Sequence, residues 1–169
     1  LSIAITKSEE LGETKEALGV YKRCYKRLKK NNKFPFYYLK SIFSMADAYK
    51  TLKISDSATY YNRLGYKEAK KNGDDSYKVL FALNEGANLI NKKKYKIALD
   101  SVIKNKAAIY KFESQSLNPM ACHFYSGKAY QGLGELDKAI VEFKKVDSFY
   151  QTKKRITPEF VEGYTFLIN

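Results

Sequence analysis

A fourfold repetition constrains this chain more than any other feature. Alanine recurs at Ala17, Ala58, Ala98 and Ala139, at intervals of 41, 40 and 41 residues. Twelve positions before the last three stand the small residues Ala46, Gly86 and Gly127, with Ile5 at that place in the first copy. Three residues after each small residue comes Tyr49, Leu89 or Tyr130. Four residues after each alanine comes Tyr21, Asn62, Val102 or Phe143, and Asn62 is the exception to the apolar pattern. Spacings of three and four put these side chains on helix faces rather than on a strand. Each unit reads as two helices joined by a tight turn. One such pair cannot bury its apolar stripe alone, so successive units must stack.

The punctuation follows the same period. Pro35, Pro119 and Pro158 fall where the first helix of a unit should begin, and proline suits a first helical turn because its missing N–H would be unsatisfied there anyway. The remaining junction, Lys71-Asn72-Gly73-Asp74-Asp75-Ser76, offers glycine to stop one helix and Asp or Ser to cap the next. Ser55 or Asp56 is expected to cap a second helix. Leu11-Gly12 and Leu133-Gly134 take the same phase between paired helices. The pattern predicts helices over 1–10, 14–31, 35–52, 56–72, 75–91, 95–113, 119–132, 136–151 and 158–169. Residues 1–169 are therefore expected to form a single all-α domain of about four antiparallel helix pairs plus a C-terminal helix. Because the chain opens on Leu1, it reads as a piece of a longer protein.

The segment from Cys122 to Phe143 resembles a tetratricopeptide repeat, with Gly127, Tyr130, Leu133-Gly134, Ala139 and Phe143 in that family's order. The copies around Ala58 and Ala98 lack the Leu-Gly pair, and Glu85 stands where the family usually has Leu. The family repeat is about 34 residues, so units of 40 to 41 have longer helices. The resemblance implies a right-handed superhelical solenoid whose concave face, lined by first helices, binds a protein or peptide. Carried over by the small-residue anchors, the groove positions are Lys40, Phe43, Ser44, Asp47 and Lys50, then Leu80, Leu83, Asn84, Ala87 and Asn91. Ala121, Phe124, Tyr125, Lys128 and Gln131 follow, with Phe160 and Tyr164 in the last half-unit. The carboxylate clamp of tetratricopeptide co-chaperones is not expected, because Asn84 alone matches it while Phe43, Asp47, Ala121 and Tyr125 replace its other members. The long repeat also resembles sensor segments of bacterial regulators, in which such an array precedes a DNA-binding or signalling module. On that likeness, DNA contact belongs to a domain outside this chain.

Composition adds a second reading. Lys and Arg number 31 against 18 Asp and Glu, a net charge of +13. The basic clusters Lys22-Arg23, Lys26-Arg27, Lys29-Lys30, Lys92-Lys93-Lys94 and Lys153-Lys154-Arg155 are spread along the chain, and they read first as solvated helix faces. The alternative is a basic helical-repeat module that binds nucleic acid through phosphates. Where the lysines map separates the two. A hydrophobic fraction of 44% supports a folded core. No apolar run approaches the length of a membrane span. No signal peptide is legible, and a cytoplasmic setting is the expectation.

No reaction is legible either. There is no Gly-rich phosphate loop, GxSxG, HExxH or zinc-spaced cysteine pair. His123 is the one histidine, and its neighbour Cys122 points about 100° away on a helix, which excludes that dyad. Neither an enzyme nor a cofactor is expected. Cys24 and Cys122 are four helices apart in the repeat order and should both be free. Phe160, Val161, Tyr164, Leu167 and Ile168 form a helical stripe expected to pack on the fourth unit, with Phe166 off that stripe. Phe166, Leu167 and Ile168 are expected to leave an apolar patch, filled by further repeats or by a second copy in a homodimer.

Overall fold

A computed structural model of the chain describes residues 13–30, 33–114, 116–153 and 160–168. Ile5, the expected helix 1–10, the Leu11-Gly12 turn and the helix start at Pro158 lie outside the described residues. Eight helices and no strand occupy those that are described. They are α1 (Thr14–Lys30), α2 (Pro35–Thr51), α3 (Ser55–Lys71), α4 (Asp75–Asn91), α5 (Tyr95–Glu113), α6 (Asn118–Gly132), α7 (Leu136–Lys153) and α8 (Val161–Ile168).

Four helix ends close with one turn. Lys53, Gly73, Lys93 and Gly134 all have positive φ, at 57°, 67°, 57° and 77°. The next residue's N–H then reaches back to the carbonyl of Tyr49, Ala69, Leu89 or Tyr130 at 2.9, 2.9, 2.9 and 3.0 Å. This 6→1 bond is the Schellman closure, which satisfies helix-end carbonyls that otherwise have no partner. Glycine takes the left-handed conformation at two of the turns, and lysine takes it at the others against the Cβ penalty. Asp74 caps α4 by accepting a hydrogen bond from the Tyr77 amide at 2.9 Å. The expected cap at Ser55 or Asp56 does not form. The Schellman turn makes Ile54 the N-cap residue, so both side chains lie inside α3, and Asp56 pairs with Lys92 at 2.7 Å.

Each helix packs on the next along the chain, which makes consecutive helices antiparallel. The first helices α2, α4, α6 and α8 also touch one another in succession, whereas the second helices α3, α5 and α7 make no comparable contact. A stack closed on one side and spread on the other is curved, with the first helices inside. The architecture is an all-α solenoid of stacked helix pairs.

The repeated residues occupy the closest approaches. Ala58, Ala98 and Ala139 are fully buried. A Cβ on Gly86 would lie 2.8 Å from Val102, and one on Gly127 would lie 2.7 Å from Phe143. Each first-helix glycine thus receives the large side chain sixteen residues later. The same offset sets Ala46 against Asn62, the one polar member of its set. Asn62 is 2% exposed and donates to Glu85 Oε2 at 2.9 Å, while Thr59 donates to Glu85 Oε1 at 2.8 Å. Asn84 completes the group by donating to Asn62 Oδ1 at 3.1 Å. Two departures from the repeat, Asn62 and Glu85, therefore satisfy each other.

At the C-terminal end, α8 packs on a different phase from the expected one. Phe160 is buried and packs 5.0 Å from Phe124, Gly163 is buried, and Phe166 packs 5.2 Å from Phe143. Val161 is 50% exposed and Ile168 84%. Gly163 is the cause: a Cβ there would lie 2.9 Å from Phe143, so its absence turns this face of α8 inward. The expected patch shrinks accordingly to Ile168, because Phe166 and Leu167 are partly buried.

Candidate functional site

The inner layer of first helices is the surface on which the sequence placed its binding residues. Along α2 the spacing of three and four brings Phe36, Lys40, Phe43, Asp47 and Lys50 onto one stripe. Lys40, Phe43 and Asp47 keep part of their surface, but Lys50 is only 8% exposed. Its ammonium pairs with Asp47 at 2.8 Å and lies 5.9 Å from the ring of Tyr125 on α6, two units along. The inner face is thus curved enough for α2 to reach α6 across α4.

The middle of the face is closed by that reach. Asn84 is 4% exposed and held by Asn62, Phe124 is 3% exposed beneath Phe160, and Tyr125 is 7% exposed beneath Lys50. Ser44, Leu83, Ala87, Ala121 and Phe160 are buried with them. Asn91 stays at the surface and donates to the Lys50 carbonyl at 3.2 Å. Two open areas flank the closed middle. One holds Lys40, Phe43 and Asp47 on α2. The other is a cleft of about 320 Å³ between α6 and α8, lined by Lys128, Gln131, Glu162, Thr165 and Phe166. Lys128 crosses its mouth to Glu162 at 2.7 Å. Tyr164 lies partly exposed on α8, and burial together with the Asp147 carboxylate pushes its phenol up to about 12.

The structure adds residues the sequence reading passed over. Phe34, Phe36 and Tyr37, at the start of α2, are 50, 54 and 53% exposed. Phe36 meets Tyr37 at 5.5 Å and Tyr77 at 5.8 Å, and Tyr77 meets Phe43 at 6.3 Å. These rings form an edge-to-face ladder from solvent down to Phe43 and the buried Phe81, 5.5 Å further in. The available signal was the run Phe34-Pro35-Phe36-Tyr37-Tyr38, whose rings are too closely spaced for one helix face to bury them all.

His123 is also engaged, though not with Cys122. Its Nδ1 lies 2.6 Å from Glu142 Oε2 and its Nε2 lies 2.7 Å from the Tyr110 hydroxyl, joining α5, α6 and α7. Burial alone would raise Glu142, but hydrogen bonds from His123 and Lys145, with the charges of His123 and Lys106, bring its carboxyl down to about 2. With Glu142 ionised, Nδ1–H donates to it, and Nε2 shares the second hydrogen bond with the Tyr110 hydroxyl. Burial raises the Tyr110 phenol, with the neighbouring Cys122 and Glu142 adding to the shift. Burial likewise pushes the Cys122 thiol up to about 12. This row of groups acts as a clamp between helices. Both cysteines are free, and among the described residues no three His, Cys, Asp or Glu are grouped to hold a metal.

No protein-family model and no curated protein sequence matches the chain. No helix among the described residues is long and apolar enough to cross a membrane.

Proposed function

We propose that this chain is a peptide- or protein-binding solenoid of the tetratricopeptide type, serving as the sensing segment of a larger bacterial regulator or signalling protein. One observation carries the reading. The inner layer opens beside a ladder of aromatic rings, the exposed Phe36 and Tyr37 and the partly buried Tyr77, that leads to Phe43 between the charged groups of Lys40 and Asp47. Exposed aromatic side chains next to placed charges suit a peptide anchored by one or two apolar residues. The α6–α8 cleft, with Lys128 and Gln131, offers the same layer a second polar contact. The reading assigns no cofactor and no reaction.

Selection from a displayed library of random 12-residue peptides tests it. The expected result is a family of sequences whose binding falls at least tenfold with Phe36→Ala and Phe43→Ala. A library yielding no binders, or binders indifferent to both substitutions, contradicts the proposal.

The same proposal includes a homodimer through α8, where Ile168 is 84% exposed. Sedimentation velocity should show a dimer that Ile168→Asp abolishes. A monomer at millimolar concentration contradicts that part alone.

A further inference from the structure

The positive charge of this protein has an address. Divide each second helix at its middle and take the later half: 22–30 of α1, 63–71 of α3, 104–113 of α5 and 145–153 of α7. These four stretches hold six, four, three and two basic residues, 15 of the chain's 31, and only Glu68, Glu113 and Asp147 of its 18 acidic ones. The difference, 12, is nearly all of the chain's net charge of +13, and the remaining 16 basic and 15 acidic residues almost cancel. Because consecutive helices are antiparallel, the four stretches end on the same edge of the solenoid, in its outer layer.

Capping of helix dipoles does not explain this. That effect is confined to the last turn, yet Lys22, Arg63, Lys104 and Lys145 stand two turns or more from their helix ends. Nor do the first helices share the pattern: α4 and α6 carry no basic residue in their last turn, and that of α2 carries only Lys50, which is buried. Internal ion pairing accounts for only a small part of it, since Lys106 and Lys145 share Glu142. Arg23, Arg27, Lys30, Arg63, Lys70 and Lys71 are exposed and have no carboxylate within ion-pair distance among the described residues. On the opposite edge, by contrast, Lys92 is matched by Asp56, and Lys138 pairs with Glu135.

The exposed apolar side chains in these stretches are Tyr66, Tyr110 and Phe112, and Lys111 lies 5.1 Å over the ring of Phe112. The exposed aliphatics, Ile54, Ile97, Ile103, Leu133, Leu136, Val141, Val161 and Ile168, all fall outside them. A surface that inserts into lipid needs aliphatic or bulky apolar groups among its lysines. Lysines interleaved with aromatic faces instead suit phosphates and the bases stacked between them. We infer that the outer edge formed by the ends of α1, α3, α5 and α7 binds single-stranded nucleic acid without sequence preference. This departs from the expectation that nucleic-acid contact belongs to a domain outside the chain, and it is independent of the inner face.

The test is fluorescence anisotropy of a labelled 20-nucleotide oligo-dT against the whole chain, in salt from 50 to 300 mM. Two variants are compared. One reverses charge on the edge (Arg27→Glu, Lys30→Glu, Lys70→Glu, Lys71→Glu), and the other reverses four charges on the opposite side (Lys53→Glu, Lys93→Glu, Lys94→Glu, Lys96→Glu). For about five phosphates engaged, log K should fall against log salt with a slope of roughly −3.5, at about 0.7 per phosphate for a single strand. The edge variant should lose at least tenfold in affinity and the control variant less than threefold. If the reversed edge variant does not fold by circular dichroism, the same four positions changed to Gln carry the comparison. Equal losses in both variants would reduce the effect to net charge and overturn the assignment. So would no binding at 50 mM salt, or binding to vesicles containing 30% phosphatidylserine with none to the oligonucleotide.

Discussion

Asn62 of α3 donates its side-chain amide to Glu85 of α4 across 2.9 Å, and each is the residue that breaks the repeat at its own position. In the neighbouring units an apolar knob, Val102 or Phe143, enters the space left by a glycine. Here a buried amide and a carboxylate do the joining, with Thr59 and Asn84 filling the remaining bonds. Replacing one partner removes a bond from the other and leaves part of its polar surface unsatisfied away from water, at about 1–3 kcal/mol. Asn62→Val and Glu85→Leu should therefore each destabilise by that amount. The double variant, which restores apolar residues at both places, should be more stable than the sum of the singles by about 1–2 kcal/mol. Urea denaturation of the four proteins measures this, and additivity to within about 0.5 kcal/mol would separate the two residues.

Two helical glycines should respond to alanine with opposite signs. A Cβ on Gly65 would lie 2.1 Å from the ring of Phe81, which is fully buried between α2, α3 and α4 and has no room to retreat. A Cβ on Gly19 would meet nothing closer than the end of the Arg23 side chain, at 3.9 Å. Gly19→Ala should stabilise by about 0.5–1 kcal/mol through helix propensity. Gly65→Ala should lose about 1–3 kcal/mol to overpacking. Melting temperatures moving in the same direction would contradict the close packing of α3 on α4.

Acid should loosen the clamp between α5, α6 and α7. Glu142 is held at about 2, against its ordinary 4.5, when folded. A lowered carboxyl stabilises the fold at pH above its unfolded value, and that stabilisation is lost as pH falls through the folded one. The contribution of Glu142 should be whole above about pH 5 and decline between about 4.5 and 2. Thermal midpoints of the native protein and Glu142→Gln should be well separated at pH 6 and converge near pH 2. A constant separation across that range would remove the carboxylate from the account.

The helix pairs were legible because their signals are local. Ala58, Ala98 and Ala139 sit at full burial, where a fixed period demanded small residues, and Pro35 and Pro119 begin the helices they were expected to begin. The turns were half legible. Gly73 and Gly134 announce a left-handed residue, but Lys53 and Lys93 adopt the same conformation with no glycine to mark it, because the stacked pairs on either side impose the turn. The state of the inner face was not legible. Whether Lys50, Asn84, Phe124 and Tyr125 line an open groove depends on curvature, and curvature appears only when Lys50 is found over Tyr125, 75 positions away in sequence. The phase of α8 was missed for a related reason. Its stripe was counted from apolar residues, while a residue with no side chain, Gly163, makes the contact.

The inner layer of first helices is the proposed recognition surface. Backbone amide spectra of the isotope-labelled protein, titrated with a peptide selected from the random library, test it most directly. Shifts should concentrate at Phe36, Lys40, Phe43, Asp47 and Tyr77, extending to Asn91, Lys128, Gln131 and Tyr164 for a longer peptide, with the outer helices α3, α5 and α7 unmoved. Shifts confined to those outer helices, with the α2 and α4 residues silent, would contradict it.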